Sequence, residues 1–199
     1  DVYKRQYAYI TSSGVTPEAI CRATGRTATN SQVKEVELRV LTYLEQRLHN
    51  SPSDFMEVPG ASMFIKRLRN LDNTAIAIAT GCWHSEAMFK LGASALDIRG
   101  ITLATGDDNK SREEIMTISA ERALTASGVS QFESIVYFGD GIWDLEASRS
   151  LDYGFVGIGE HLNALRNAGA ELCHEDYTNL DEVLSSLTEV FGAMSGVNA

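Results

Sequence analysis

Two aspartates four positions apart, Asp140 and Asp144, stand in the stretch Ile135 to Asp144, which reads IVYFGDGIWD. Paired carboxylates make a hard-oxygen site suited to Mg²⁺. Four other positions could serve the same chemistry. Thr80 could give its hydroxyl proton to a phosphate oxygen, and Gly81 after it permits close backbone approach. Lys110 or Arg112 could neutralise phosphate charge. Each has a plainer role as well: Asp140 as a turn residue, Asp144 and Thr80 as caps, Lys110 and Arg112 as solvated charges. Taken together they point to phosphoryl transfer assisted by a bound cation. Cys82 and His84 lie close to Thr80. They are set aside as a nucleophile pair, because nothing orients one toward the other.

The elements that must position these groups alternate between strand and helix. Ile135 to Phe138 is an unbroken apolar run, as expected of a strand inside a parallel sheet, and it stops at Gly139-Asp140-Gly141. Thr74 to Ala79, reading TAIAIA, predicts a second buried strand ending at Thr80. Ile101 to Ala104, Tyr153 to Ile158 and Glu171 to His174 predict three more. Helices are predicted from Ala61 to Asn70, with Met63, Phe64 and Leu68 on one side, and from His84 to Leu91, ending at Gly92. Others are predicted over Ser111 to Ser127, opened by a Ser-x-x-Glu capping box, His161 to Ala168, and Asp181 to Phe191. Such alternation implies parallel βαβ units with the carboxyl ends of all strands on one edge. Thr80, the loop from Asp107 to Lys110, and Asp140 are all expected at that edge, where ligands of open α/β sheets bind.

Residues 7 to 54 read differently. Thr16-Pro17-Glu18 predicts a helix start, and Gly25 its end. A long amphipathic helix is predicted from Ser31 to Asn50, with Val33, Val36, Val40, Leu41, Leu44 and Leu48 on one face. Ser51 to Asp54 reads as a linker. With no strand signal, this segment is expected to be a small helical lobe whose Arg22, Arg26 and Lys34 are surface charges.

Composition narrows the class. The 199 residues suffice for one domain with a small insert, and 44% are hydrophobic. A formal net charge of -10 argues against binding nucleic acid or an anionic membrane. No apolar run reaches the ~18 residues of a membrane span. Cys21, Cys82 and Cys173 are odd in number and far apart, so a reducing cytoplasm is expected.

On these residues the chain resembles the haloacid dehalogenase-like hydrolases. AIAIATG, ending its strand at Thr80, matches the second motif of that family; NKSREEI, with Lys110 or Arg112, matches the third; GDGIWD, with Asp140 and Asp144, matches the fourth. The resemblance implies a three-layer Rossmann-like α/β core over residues 55–199 and a helical cap over 7–54. It also implies a Mg²⁺-dependent phosphomonoester phosphatase acting on a small phosphorylated metabolite, similar to phosphoglycolate phosphatases. Thr80, Gly81 and Lys110 would contact the substrate, Thr80 with Lys110 or Arg112 would be catalytic, and Asp140 and Asp144 would hold the metal. A non-catalytic phosphate-binding protein of the same fold is the alternative.

One departure matters. The first motif of the family, DxDxT, supplies the nucleophile and the acid/base from the first, central strand, and it occurs nowhere in this sequence. The opening residues, DVYKRQ, match a translated transposon end used in sequencing libraries. Residues 1–6 are therefore expected to be a scar, with the first strand lost upstream and the 199 residues inactive and poorly folded by themselves.

Overall fold

A computed structural model describes residues 6–194, with side chains described to residue 192. All but Gln6 of the expected scar lies outside the described residues. The chain divides into two compact units, Asp1–Met56 with Ala77–Ala126, and Glu57–Ile76 with Ser127–Ala199.

The first unit begins with α1 (Ser12–Thr24) and α2 (Asn30–Asn50), followed by a 3₁₀ turn (Pro52–Phe55) where a linker was expected. α1 starts four residues before the predicted Thr16. Thr11 is its cap, accepting the amide of Gly14, and Pro17 lies inside the helix. Gly25 closes it with φ 69, a left-handed conformation that glycine adopts without strain. α2 begins with a reciprocal capping box between Thr29 and Gln32. Its predicted apolar face is half-buried, and Glu37 is buried among those residues. After α2 the unit continues with β1 (Ala77–Ala79), α4 (His84–Ala93), β2 (Thr102–Ala104) and α5 (Arg112–Ser127). β1 is half the predicted length, because Thr74 and Ala75 are exposed and make no ladder. Gly92 lies within α4 rather than after it. β1 and β2 pair in parallel, Ala77 against Thr102 through Ala79 against Ala104. α5 buries Ile115, Met116, Ser119 and Ala123, and Ser119 donates to the carbonyl of Ile78 at 3.1 Å.

The second unit holds α3 (Ala61–Arg69), β3 (Val136–Gly139), α6 (Ile142–Ser150), β4 (Gly154–Ile158), α7 (Leu162–Asn167), β5 (Cys173–His174) and α8 (Leu180–Met194). Its sheet is parallel in the order β3-β4-β5. The alternation along β4 builds three layers. Phe155 packs with Ile142 and Leu145 of α6 and Leu162 and Leu165 of α7. Val156 and Ile158 pack on the opposite side with Val190 of α8 and with Val136 and Phe138 of β3. In α3, Ala61 and Phe64 are buried, whereas Met63 is 58% exposed, contrary to its predicted inward position. Met63, two positions after Ala61 and one before Phe64, cannot share their face on a 3.6-residue turn.

Among the described residues, β1 pairs with no strand but β2, and β3 with no strand but β4. The parallel α/β class, with helices on both faces of the sheet in the second unit, agrees with the sequence expectation.

Candidate functional site

In the first unit, the turns after β1 and β2 meet the first turn of α1. Thr80 continues the ladder by donating its amide to the carbonyl of Ala104 at 2.9 Å. Its hydroxyl then accepts the amide of Cys82 at 3.3 Å, a local turn that leaves the hydroxyl proton available to an acceptor. Gly81 is buried against Thr11: a β-carbon there would meet the Thr11 methyl at 3.1 Å. Its carbonyl accepts the amide of Ser12 at 2.7 Å. Thr11, only 1% exposed, donates its hydroxyl to the carbonyl of Lys110 at 2.7 Å. The structure thus brings Gly81, the neighbour of Thr80, and the Lys110 backbone together at Thr11. The Lys110 side chain is exposed, and its ammonium lies 4.7 Å from the centre of the Tyr9 ring. Arg112 opens α5 and is half-buried, with its Nε enclosed.

A polar network surrounds this turn. Glu86, in the first turn of α4, accepts from Ser12 at 3.1 Å and from Lys90 at 2.7 Å. Burial pushes its carboxyl up, but Lys90, with hydrogen bonds from Cys82 and Ser12, offsets that effect and holds it below the ordinary range. The Lys90 ammonium also lies 3.7 Å from the Cys82 sulfur. Burial pushes the Cys82 thiol up, so it is not a preformed thiolate. Glu37 of α2 accepts from Ser85 at 2.5 Å and from Lys34 at 2.9 Å, and these bonds overcome burial to lower its carboxyl too. Asp107 caps α4 from the loop after β2 by accepting the amide of His84 at 2.7 Å.

In the second unit, Asp140 is exposed beyond the carboxyl end of β3, and Asp144 is 2% exposed in the first turn of α6. Asp144 Oδ2 accepts the amide of Gly141 at 3.1 Å. Its capping role is therefore real, whatever else it does. Gly139 makes room for it: a β-carbon there would lie 2.7 Å from Asp144 Cβ and 2.9 Å from Oδ2. Asp140 lies near enough to Tyr177, which follows β5, for its charge to act on the phenol. Burial, and then the Asp140 charge, push the Tyr177 phenol up to about 12. That ring stacks on Phe64 at 4.7 Å, and Phe64 packs on Phe138 at 5.0 Å.

Among the described residues, no group of three or more His, Cys, Asp and Glu is placed to hold a metal ion. Two hard carboxylates suit Mg²⁺, which commonly takes one or two protein carboxylates and completes its shell with water and phosphate oxygens. The donor chemistry of Asp140 and Asp144 therefore fits that ion.

Sequence reasoning did not find Thr11, Glu37, Glu86, Asp108 or Tyr177. Glu37 carried a signal, since it falls in register with Val33, Val40, Leu41 and Leu44 on the inward stripe of α2. Thr11 and Tyr177 take their roles from partners distant in sequence, and Glu86 and Asp108 each join a near neighbour to a distant one.

No protein-family model matches the chain, and no curated protein does. Solved structures do match. A hydrolase from Pseudomonas syringae has a TM-score of 0.64 at 24% identity, over 95% of this chain and 83% of its own. A protein described as a β-phosphoglucomutase from Bacteroides vulgatus has a TM-score of 0.57 at 15% identity, over 91% of this chain and 72% of its own. At these identities the likeness is one of fold.

Proposed function

From the haloacid dehalogenase-like fold that the chain shares with these structures, we propose a Mg²⁺-dependent phosphomonoester hydrolase acting on a small phosphorylated metabolite, similar to phosphoglycolate phosphatases. The observation that carries this proposal is the meeting of Gly81, next to Thr80, and the Lys110 backbone at Thr11. Thr80, already accepting from Cys82, directs its remaining proton to a phosphate oxygen. Lys110 supplies the offsetting positive charge that a chain of net charge -10 needs to receive an anion. Arg112, at the start of α5, is the competing cation for that role. Asp140 and Asp144 hold Mg²⁺, which polarises the phosphoryl group when bound. Burial pushes the Cys82 thiol up, away from the thiolate a nucleophile needs. We assign the nucleophile to a DxDxT segment not among these 199 residues.

The test is phosphate release from a panel of phosphorylated metabolites by the gene product carrying its upstream coding sequence. Release that requires Mg²⁺ and is lost in Asp140→Asn and Thr80→Ala supports the proposal. The absence of DxDxT from the sequence favours a second reading, a binding protein that holds phosphate without turnover. Saturable phosphate binding with no release from any ester would select it.

A further inference from the structure

The loop that carries Lys110 is fastened from behind by a residue that lies outside the proposed site. Arg122, on α5, donates through Nη1 to the carbonyl of Leu103 at 2.5 Å and to Asp108 Oδ2 at 3.0 Å, and through Nη2 to Asp108 Oδ1 at 2.6 Å. This is the two-pronged geometry that only a guanidinium provides. Asp108 Oδ2 also accepts the amide of Thr105 at 2.8 Å, and the Asp108 amide donates to the Thr105 carbonyl at 3.0 Å. The carboxylate thereby closes the turn that leads from β2 to Lys110. Arg122 holds the Asp108 carboxyl below its usual range. The loop is therefore fixed on one side by this fork and on the other by Thr11, which grips the Lys110 carbonyl.

Resting on the phosphatase proposal, we infer that Arg122 is a positioning residue, acting through Asp108 to hold Lys110 where it meets the phosphate. A general structural role fits less well. The side chains of Arg122 and Asp108 are 42% and 23% exposed, and pairs that open to water contribute little to global stability. Their geometric effect on the loop between β2 and α5 is undiminished by that exposure, because the fork fixes orientation as well as distance.

The experiment uses the active full-length enzyme, with inorganic phosphate as competitive inhibitor. Arg122→Ala is expected to raise KM and the phosphate inhibition constant about tenfold, the scale of one weakened charge contact, with a smaller change in kcat. Arg122→Lys restores only part, since an ammonium cannot make the fork. Asp108→Asn, which keeps the side-chain shape, should match Arg122→Ala, and the double variant should be no worse than either. The decisive arm is the Lys110→Ala background, where Arg122→Ala should have no further effect on phosphate affinity. An unchanged KM in both Arg122→Ala and Asp108→Asn overturns the inference, as does an equal further loss in the Lys110→Ala background. If the wild-type enzyme neither releases nor binds phosphate, the phosphatase proposal has failed, and this inference falls with it.

Discussion

The hydroxyl of Thr11 donates to the backbone carbonyl of Lys110 at 2.7 Å, across 99 positions of sequence, while accepting the amide of Gly14 at 3.2 Å. One buried side chain therefore caps α1 and ties down the loop that carries the candidate cation. Thr11→Val, of similar shape, leaves both partners unsatisfied and should cost about 2 kcal/mol. Thr11→Ser should recover most of this. Urea unfolding of the three proteins measures it, and equal midpoints for the valine and serine variants would show that the hydroxyl does not matter.

Gly139 is silent in any account limited to charged groups, yet Asp144 packs on its α-carbon. Gly139→Ala places a β-carbon 2.7 Å from Asp144 Cβ and so displaces the carboxylate. The expected result is a cation affinity lowered about tenfold or more, together with about 1–3 kcal/mol of destabilisation from overpacking. Calorimetric titration with Mg²⁺ reads the first quantity and thermal unfolding the second. Unchanged Mg²⁺ affinity would remove Asp144 from the metal site.

Glu86 links Ser12 on α1 to Lys90 on α4, and its folded-state pKa is lowered. A depressed carboxyl contributes stability that is present above its unfolded value, near 4.5, and is lost as pH falls through the lower folded value. Lys90→Ala removes the cation and leaves burial to dominate, so the carboxyl should now titrate above its ordinary value. The buried, unpaired carboxylate then destabilises the variant near neutral pH, and this penalty should be relieved as pH falls through the raised value, whereas the wild type loses stability on acidification. At pH 7 the cost should be about 1–2 kcal/mol, less than for a fully buried pair because Lys90 is half exposed. Melting temperatures from pH 7 to pH 3 check this. Parallel curves for the two proteins would mean that Lys90 does not set the Glu86 charge.

What the sequence made legible was whatever is decided locally. The run Ile135 to Phe138 and the turn at Gly139 located β3, because an apolar run meeting glycines has few alternatives. The amphipathic stripe of α2 and the glycine after α1 were equally plain. The misplaced start of α1 shows the limit. Thr16-Pro17 is a strong local start signal, but the helix begins at Ser12, where the Ser12 amide reaches the Gly81 carbonyl and Thr11 reaches Lys110. Those contacts span 69 and 99 positions, and no local pattern encodes them. The TAIAIA strand shrank to Ala77–Ala79 for a related reason: strand propensity becomes ladder only where a neighbour lies alongside. At the candidate site, Thr80, Lys110, Asp140 and Asp144 could be named from spacing, whereas Arg122 and Tyr177 act through partners that only the fold supplies.

Tyr177 offers a test at alkaline pH. Its phenol is pushed up to about 12, first by burial and then by the Asp140 charge. A phenol whose folded value exceeds its unfolded value near 10 contributes stability that is complete below pH 10 and is lost as pH rises toward 12. Tyr177→Phe should remove this dependence while keeping the stack on Phe64. Urea unfolding at pH 8 and pH 11 compares the two proteins. A wild-type loss between these values that persists undiminished in Tyr177→Phe would place the titrating group elsewhere.

The central proposal is a phosphatase activity in which Asp140 serves Mg²⁺ and Thr80 serves phosphate. Phosphate release is measured with and without Mg²⁺ for the 199 residues alone and for the chain extended by its upstream coding sequence, each as wild type and as Asp140→Asn. The account predicts no release from the 199 residues, Mg²⁺-dependent turnover from the extended chain, and a fall of about 10²-fold or more in its Asp140→Asn variant. Turnover that is indifferent to Mg²⁺ and to Asp140→Asn, or an extended chain with no activity on any phosphomonoester, would contradict it.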